Sequence, residues 1–157
     1  MDKVKQTIRD AKAKREKGSN STKGAGQSGT RTQAELDNLA TDPAIGNKIT
    51  PKTIAEREVG MGLEARGEVS GLVRDPSGKA EFIESSGQKW DVKAYNSNFA
   101  PKKGGYTLNK SMESIKKSLS EGENVMVDTR NLSPSHLIEL KTEVSKQSLG
   151  DRVKFWP

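Results

Sequence analysis

The chain is predicted to fold as a layered α+β or α/β domain in which a central mixed β-sheet is flanked by helices. Three observations predict it. Capped amphipathic helical patterns begin at Thr50-Pro51, Leu108 and Ser133-Pro134; a hairpin pattern spans Lys79 to Lys93; and the apolar runs Asn124–Asp128 and Val153–Trp156 each follow a helical segment. The resulting order is helix, three antiparallel-prone strands, helix, strand, helix, strand, which suits a sheet covered by helices.

Residues 1–48 differ in composition from the rest. Asp2 to Lys17 is dense in Lys, Arg and Ala, with Val4, Ile8 and Ala11 as a thin stripe, and Gly18 to Gly29 holds no large apolar side chain to offset its ordering entropy. A basic, flexible, partly disordered N-terminal and linker region is expected there. Gln33 to Leu39 can add one short helix before Asp42-Pro43. The folded domain is expected over 49–157, and the N-terminal region is expected to be dispensable for activity.

Thr50 supplies an N-cap and Pro51 the first helical position of a segment running to about Arg66. At about 100° per residue, Ile54, Ala55, Val59, Met61, Gly62 and Ala65 gather on one side, with Glu58 among them and Glu56 and Glu64 elsewhere. An acid on an apolar face needs a partner. Val69–Val73 reads as a strand, and Asp75-Pro76-Ser77-Gly78 as a turn. In the hairpin, Ala80–Glu84 and Lys89–Lys93 flank Ser85-Ser86-Gly87. A turn of about three residues sets Phe82 opposite Trp90 and Glu81 opposite Asp91, so one face is apolar and the other acidic with Lys93 at its tip. A one-residue slip would set Phe82 against Asp91. Asn96–Gly105 is a polar loop. Leu108, Met112, Ile115 and Leu119 repeat at helical spacing before Gly122, and Leu137, Ile138, Leu140 and Val144 do so before Gly150.

Composition narrows the chemistry. With apolar residues at 31% and charged residues at 31% of 157, the chain can build one modest core. No cysteine is present, so thiolate metal sites and disulfides are excluded, and carboxylates with the single His136 are the side chains able to hold a metal. Hard, oxygen-loving ions are favoured. No run approaches a membrane span and no signal-peptide pattern is present, which makes a cytosolic site of action the expectation. A formal charge of +6 points to a polyanionic partner.

If the first long helix packs across the hairpin, Glu58, Glu81 and Asp91 converge beside Lys93. Such a set can hold one or two divalent cations and leave positions open for water and a phosphate oxygen, with Lys93 orienting or deprotonating the water. Lys89, Lys102 and Lys103 are candidate contacts to a nucleic-acid backbone. Tyr95 and Phe99 are candidates to stack on a base, with core packing the plainer reading for Phe99. His136 reads as a helix-surface residue and Asp128 as a loop cap.

Glu58, Glu81 and Trp90-Asp91-Val92-Lys93 resemble the acids and the D-x-K of the PD-(D/E)XK, restriction-endonuclease-like nucleases. Val125–Arg130 with the helix after it, and the terminal Phe155-Trp156-Pro157, are similar to C-terminal toxin domains of bacterial contact-dependent growth inhibition and related polymorphic toxin systems. The resemblance spans about Thr50 to Pro157. It implies a restriction-endonuclease-like core using Mg²⁺ or Zn²⁺ to cut DNA or tRNA, DNA slightly favoured. It further implies export at the end of a larger protein, action in the cytoplasm of a target bacterium, a cognate immunity protein and, for some members, a host activating factor. No Pro-Asp pair precedes the hairpin and Glu81 stands where Asp is usual, so Asp75 and Glu84 remain alternatives for the second acid. Two rivals stay open: a non-enzymatic basic module that binds nucleic acid or an acidic protein, and a metal-independent ribonuclease of the barnase-like kind.

Overall fold

The computed structural model describes residues 31–157. The basic segment Asp2–Lys17 and the Gly/Ser-rich stretch Gly18–Gly29 lie outside the described residues. Helices α1 (Gln33–Ala40), α2 (Pro51–Ala65), α3 (Leu108–Ser120) and α4 (Pro134–Lys146) surround strands β1 (Val73–Arg74), β2 (Phe82–Ile83), β3 (Lys89–Ala94), β4 (Glu123–Asp128) and β5 (Val153–Trp156). The sheet order is β1-β2-β3-β4-β5. β2 pairs antiparallel with both β1 and β3, whereas β3, β4 and β5 are mutually parallel, as the crossovers through α3 and α4 require.

The expected register holds, with Phe82 paired to Trp90 and Ile83 to Lys89. Alternation along β3 and β4 then sorts two cores. Trp90 and Met126 join Phe82, Val59, Leu63, Leu72 and Leu39 under α1 and α2, while Val125 and Val127 join Ile115, Leu119, Leu140 and Val144 under α3 and α4. The helix starts follow their caps: Thr50 accepts from the Thr53 amide, Thr107 from Lys110 and Ser133 from His136.

Two expectations change. First, the folded body begins before residue 49. α1 is closed by a Thr32–Glu35 capping box and buries Leu39 and Ala40. Arg31 forms a bidentate pair with Glu64, and Asp42 approaches Arg74 at 3.4 Å. Second, the buried side of α2 is Thr53, Glu56, Val59, Gly60, Leu63 and Glu64, not the side bearing Glu58. Two carboxylates could be buried because each meets an arginine: Glu64 meets Arg31, and Glu56 meets Arg74 at 3.0 Å. Apolar periodicity cannot register that compensation. The expected strand Val69–Val73 shrinks to the two residues of β1, with Val69 and Leu72 buried and Val73 exposed.

Candidate active site

Ladder pairing between β2 and β3 is short, and that shortness builds the site. The Glu81 amide bonds the Trp90 carbonyl at 3.0 Å, and Glu81 lies outside the paired residues of β2. Further along β3, the Val92 amide takes the Glu81 carboxylate as its acceptor, Oε1 at 2.6 Å, where a longer β2 would have offered main chain. The Glu81 side chain is thereby held against the edge of β3, facing Asp91.

Asp91 projects to the α3 side of the sheet. Its Oδ2 accepts from Lys93 Nζ at 2.7 Å and from Ser118 Oγ at 2.8 Å. Burial, followed by hydrogen bonding to Asp91 and that residue's charge, raises Glu81 to about 9; the Val92 amide works the other way. Burial also disfavours the Asp91 carboxylate, but hydrogen bonds from Glu81, Lys93 and Ser118 outweigh it and hold Asp91 below its ordinary value. The pair therefore carries one proton, on Glu81. Glu123, buried at the start of β4, is raised by burial and then by the Asp91 charge. Two half-buried carboxyl groups competing for one proton beside an ammonium form a site where a hard cation could replace the proton.

Glu58 does not join them. It is 48% exposed and pairs with Arg130, which also takes Asp128 in a fork and stacks 4.9 Å over Trp156. The cause is the face on which α2 packs: it covers Phe82 and Trp90, while Asp91 and Lys93 point to the opposite side. The α2 acid with an electrostatic effect on Glu81 is Glu56, the weakest of the causes that raise it. Its two oxygens are taken by Arg74 and Lys52, and Lys52 in turn feels Glu81. Among the described residues, no three acidic or histidine side chains are grouped closely enough to hold a metal. A cation placed here could take two protein carboxylates, Glu81 and Asp91.

The alternatives for the second acid are committed elsewhere. Asp75 accepts from the Ser77 and Ala80 amides in a buried turn, and Glu84 from Trp90 Nε1 and the Ser70 amide. Ser118 was not legible as a site residue, since its signal is only a serine at helical spacing on the α3 face over β3. Lys89 is half-buried, near enough to Asp75 and Glu123 to favour their ionised forms. Lys102 and Lys103 stand exposed on the loop after β3. His136 is half-buried, bonded through Nδ1 to Ser97 at 2.8 Å and stacked on Tyr106 with ring centroids 4.4 Å apart. Asp128 caps its loop as expected, accepting from the Arg130 amide. Tyr95 bonds Ser114 on α3, and burial pushes its hydroxyl up to about 12. No family model, curated protein or solved structure matches the chain.

Proposed function

We propose that the chain is a metal-dependent nuclease toxin with a restriction-endonuclease-like core, cleaving phosphodiester bonds with DNA slightly favoured over tRNA. The observation that carries this reading is the contact of Glu81 and Asp91 on neighbouring strands, with Lys93 bonded to Asp91 at 2.7 Å. The α+β architecture, a five-stranded mixed sheet with four helices, agrees with it.

Glu81 and Asp91 would hold the divalent ion, Mg²⁺ or Zn²⁺. When bound, it supplies Lewis-acid polarisation of a phosphoryl oxygen and lowers the pKa of a coordinated water. Glu81 gives up its proton so that both carboxylates face the site ionised. Ser118 keeps Asp91 Oδ2 in place through its hydroxyl. Lys93 remains an ammonium donor that orients the attacking water and offsets charge developing on the phosphorus. Action in the cytoplasm of a target bacterium, export as part of a larger toxin, a cognate immunity protein and a host activating factor all belong to the same proposal.

Plasmid DNA and total tRNA incubated with Mg²⁺, Zn²⁺ or EDTA test it. Cleavage is expected with metal and not with EDTA, is lost in Asp91→Ala/Lys93→Ala, and persists in Glu58→Ala. Intact nucleic acid in every metal arm, with and without cell extract, would overturn it in favour of the basic binding module.

A further inference from the structure

Beyond the carboxylate pair, the loop that continues from β3 carries a feature with no structural task. Phe99 is 57% exposed although it is among the largest apolar side chains of the chain. Its backbone, by contrast, is tied down. The loop is closed by Ser97 N–H to Asn131 O at 2.8 Å, Tyr106 N–H to Asn96 O at 2.9 Å and Gly105 N–H to Ala100 O at 3.0 Å. A side chain at Gly105 would place its Cβ 1.8 Å from the Phe99 carbonyl oxygen, so the two backbones meet at a separation only glycine permits. Pro101–Lys103 forms a single 3₁₀ turn shortly after Phe99 in the chain, with Lys102 and Lys103 exposed on it. From Ala94 to Met112 there is no acidic residue, and among the described residues neither lysine makes an ion pair.

A hydrogen-bonded loop presenting an exposed ring forgoes the burial free energy of phenylalanine unless something covers the ring. The uncompensated positive charge next to it selects a polyanion. A ring flanked by ammonium groups matches a nucleotide strand, with the base on the ring and the phosphates on the lysines. The base must be unstacked to reach such a ring, because the bases of a duplex cover one another. The loop follows the end of β3 at Ala94, the strand that carries Asp91 and Lys93.

We propose that Phe99, Lys102 and Lys103 form a subsite for an unpaired nucleotide, so that the substrate bound at the Glu81–Asp91 site is single-stranded or locally melted nucleic acid. This rests on the nuclease reading but is measured without cleavage. Fluorescence anisotropy of labelled twelve-nucleotide single strands, DNA and RNA, and of a twelve-base-pair duplex, is recorded in EDTA over a range of salt concentrations. The wild-type protein is expected to bind single strands more tightly than duplex. Phe99→Ala should weaken single-strand binding by about 10-fold with duplex binding unchanged. Lys102→Gln/Lys103→Gln should lower the salt slope by about 1.4 for single strands. All three side chains are exposed, so the variants retain the fold; circular dichroism checks this.

Equal loss on single strand and duplex in Phe99→Ala, or no loss, overturns the subsite. So does an effect of the lysines alone, which would mark a general electrostatic face. Binding indifferent to all three residues overturns it as well and leaves the loop to a protein partner. If Asp91- and Lys93-dependent cleavage is found while Phe99→Ala binds as wild type, the subsite alone fails. Absence of both cleavage and binding removes the nuclease reading with it.

Discussion

Replacing Glu81 with glutamine should make the protein more stable at neutral and alkaline pH, and the size of the gain follows from the shared proton. Glu81 is raised from 4.5 to about 9 in the folded protein by burial and then by Asp91. Between those values the folded state holds a proton that the unfolded chain releases, so stability falls as pH rises through that window. Each pH unit inside it costs ~1.4 kcal/mol per proton. Asp91 is shifted the other way: its contribution is present above its unfolded value of 3.8 and is lost only as pH falls below that, so it does not act here. From pH 6 to pH 8 the wild-type chain should therefore lose about 3 kcal/mol through Glu81 alone. Glutamine keeps the shape and can donate to Asp91 as the protonated acid does, and it carries no proton to lose.

Urea unfolding at pH 6, 7 and 8 in EDTA reads the difference. With a slope of about 1–3 kcal/mol per molar urea, the wild-type midpoint should drop by roughly 1–3 M over this range relative to that of Glu81→Gln. Titrations of groups that the substitution does not touch occur in both proteins and cancel. Parallel pH dependence in the two proteins would refute the shared proton. A glutamine variant less stable than wild type at pH 8 would refute the burial of an uncharged Glu81 beside Asp91.

Millimolar Mg²⁺ at pH 8 should raise the melting temperature of the wild type by a few degrees through mass action, and should not raise that of Asp91→Asn; thermal-shift titration reads both. Glu56→Ala strips buried Arg74 of its nearest carboxylate and leaves it only Asp42 at 3.4 Å and the Leu39 carbonyl, so unfolding should be easier by ~3 kcal/mol. An unchanged denaturation midpoint would show that the pair is not buried as described. In Gly62→Ala the new Cβ would lie 1.9 Å from Trp156 Nε1, so the indole must leave its place over Arg130. A loss of ~1–3 kcal/mol and a shifted Trp156 emission, read in a Trp90→Phe background, are expected.

The hairpin was legible because both of its faces are written in alternation: Phe82, Trp90 and Val92 on one side, Glu81, Asp91 and Lys93 on the other. Any register that buries the first set brings Glu81 and Asp91 together. The helices after it were legible for the same reason, each having an apolar stripe and a Ser or Thr cap, although α4 buries only Leu140 and Val144 of its expected stripe and leaves Ile138 66% exposed. α2 was not. Its buried side includes Thr53, Glu56 and Glu64, which look solvent-facing in the chain and go inside only because Arg74 and Arg31, distant in sequence, meet them. The same arginines explain why the folded body reaches back before residue 49, since Arg31 and Asp42 close pairs that no local pattern announces.

Glu58 and Glu81 illustrate two different limits. The side of α2 bearing Glu58 was expected to be the buried one, whereas the helix buries Thr53, Glu56, Val59, Gly60, Leu63 and Glu64, and sequence does not say which sheet face an amphipathic helix covers. Here α2 takes the Phe82–Trp90 face, so an acid on that helix reaches Arg130 at the far end of β4 and not Asp91. Glu81 shows the converse. Its place against Asp91 depends on β2 beginning only at Phe82, because the Val92 amide then needs an acceptor and the glutamate supplies one. A β2 extended by two residues would satisfy Val92 with main chain and release Glu81 to solvent. Asp91 would keep Lys93 and Ser118 but lose the carboxyl group that shares its proton. The interruption of the ladder is thus what converts an ordinary acidic hairpin face into a half-buried pair of carboxyls one proton short of neutrality.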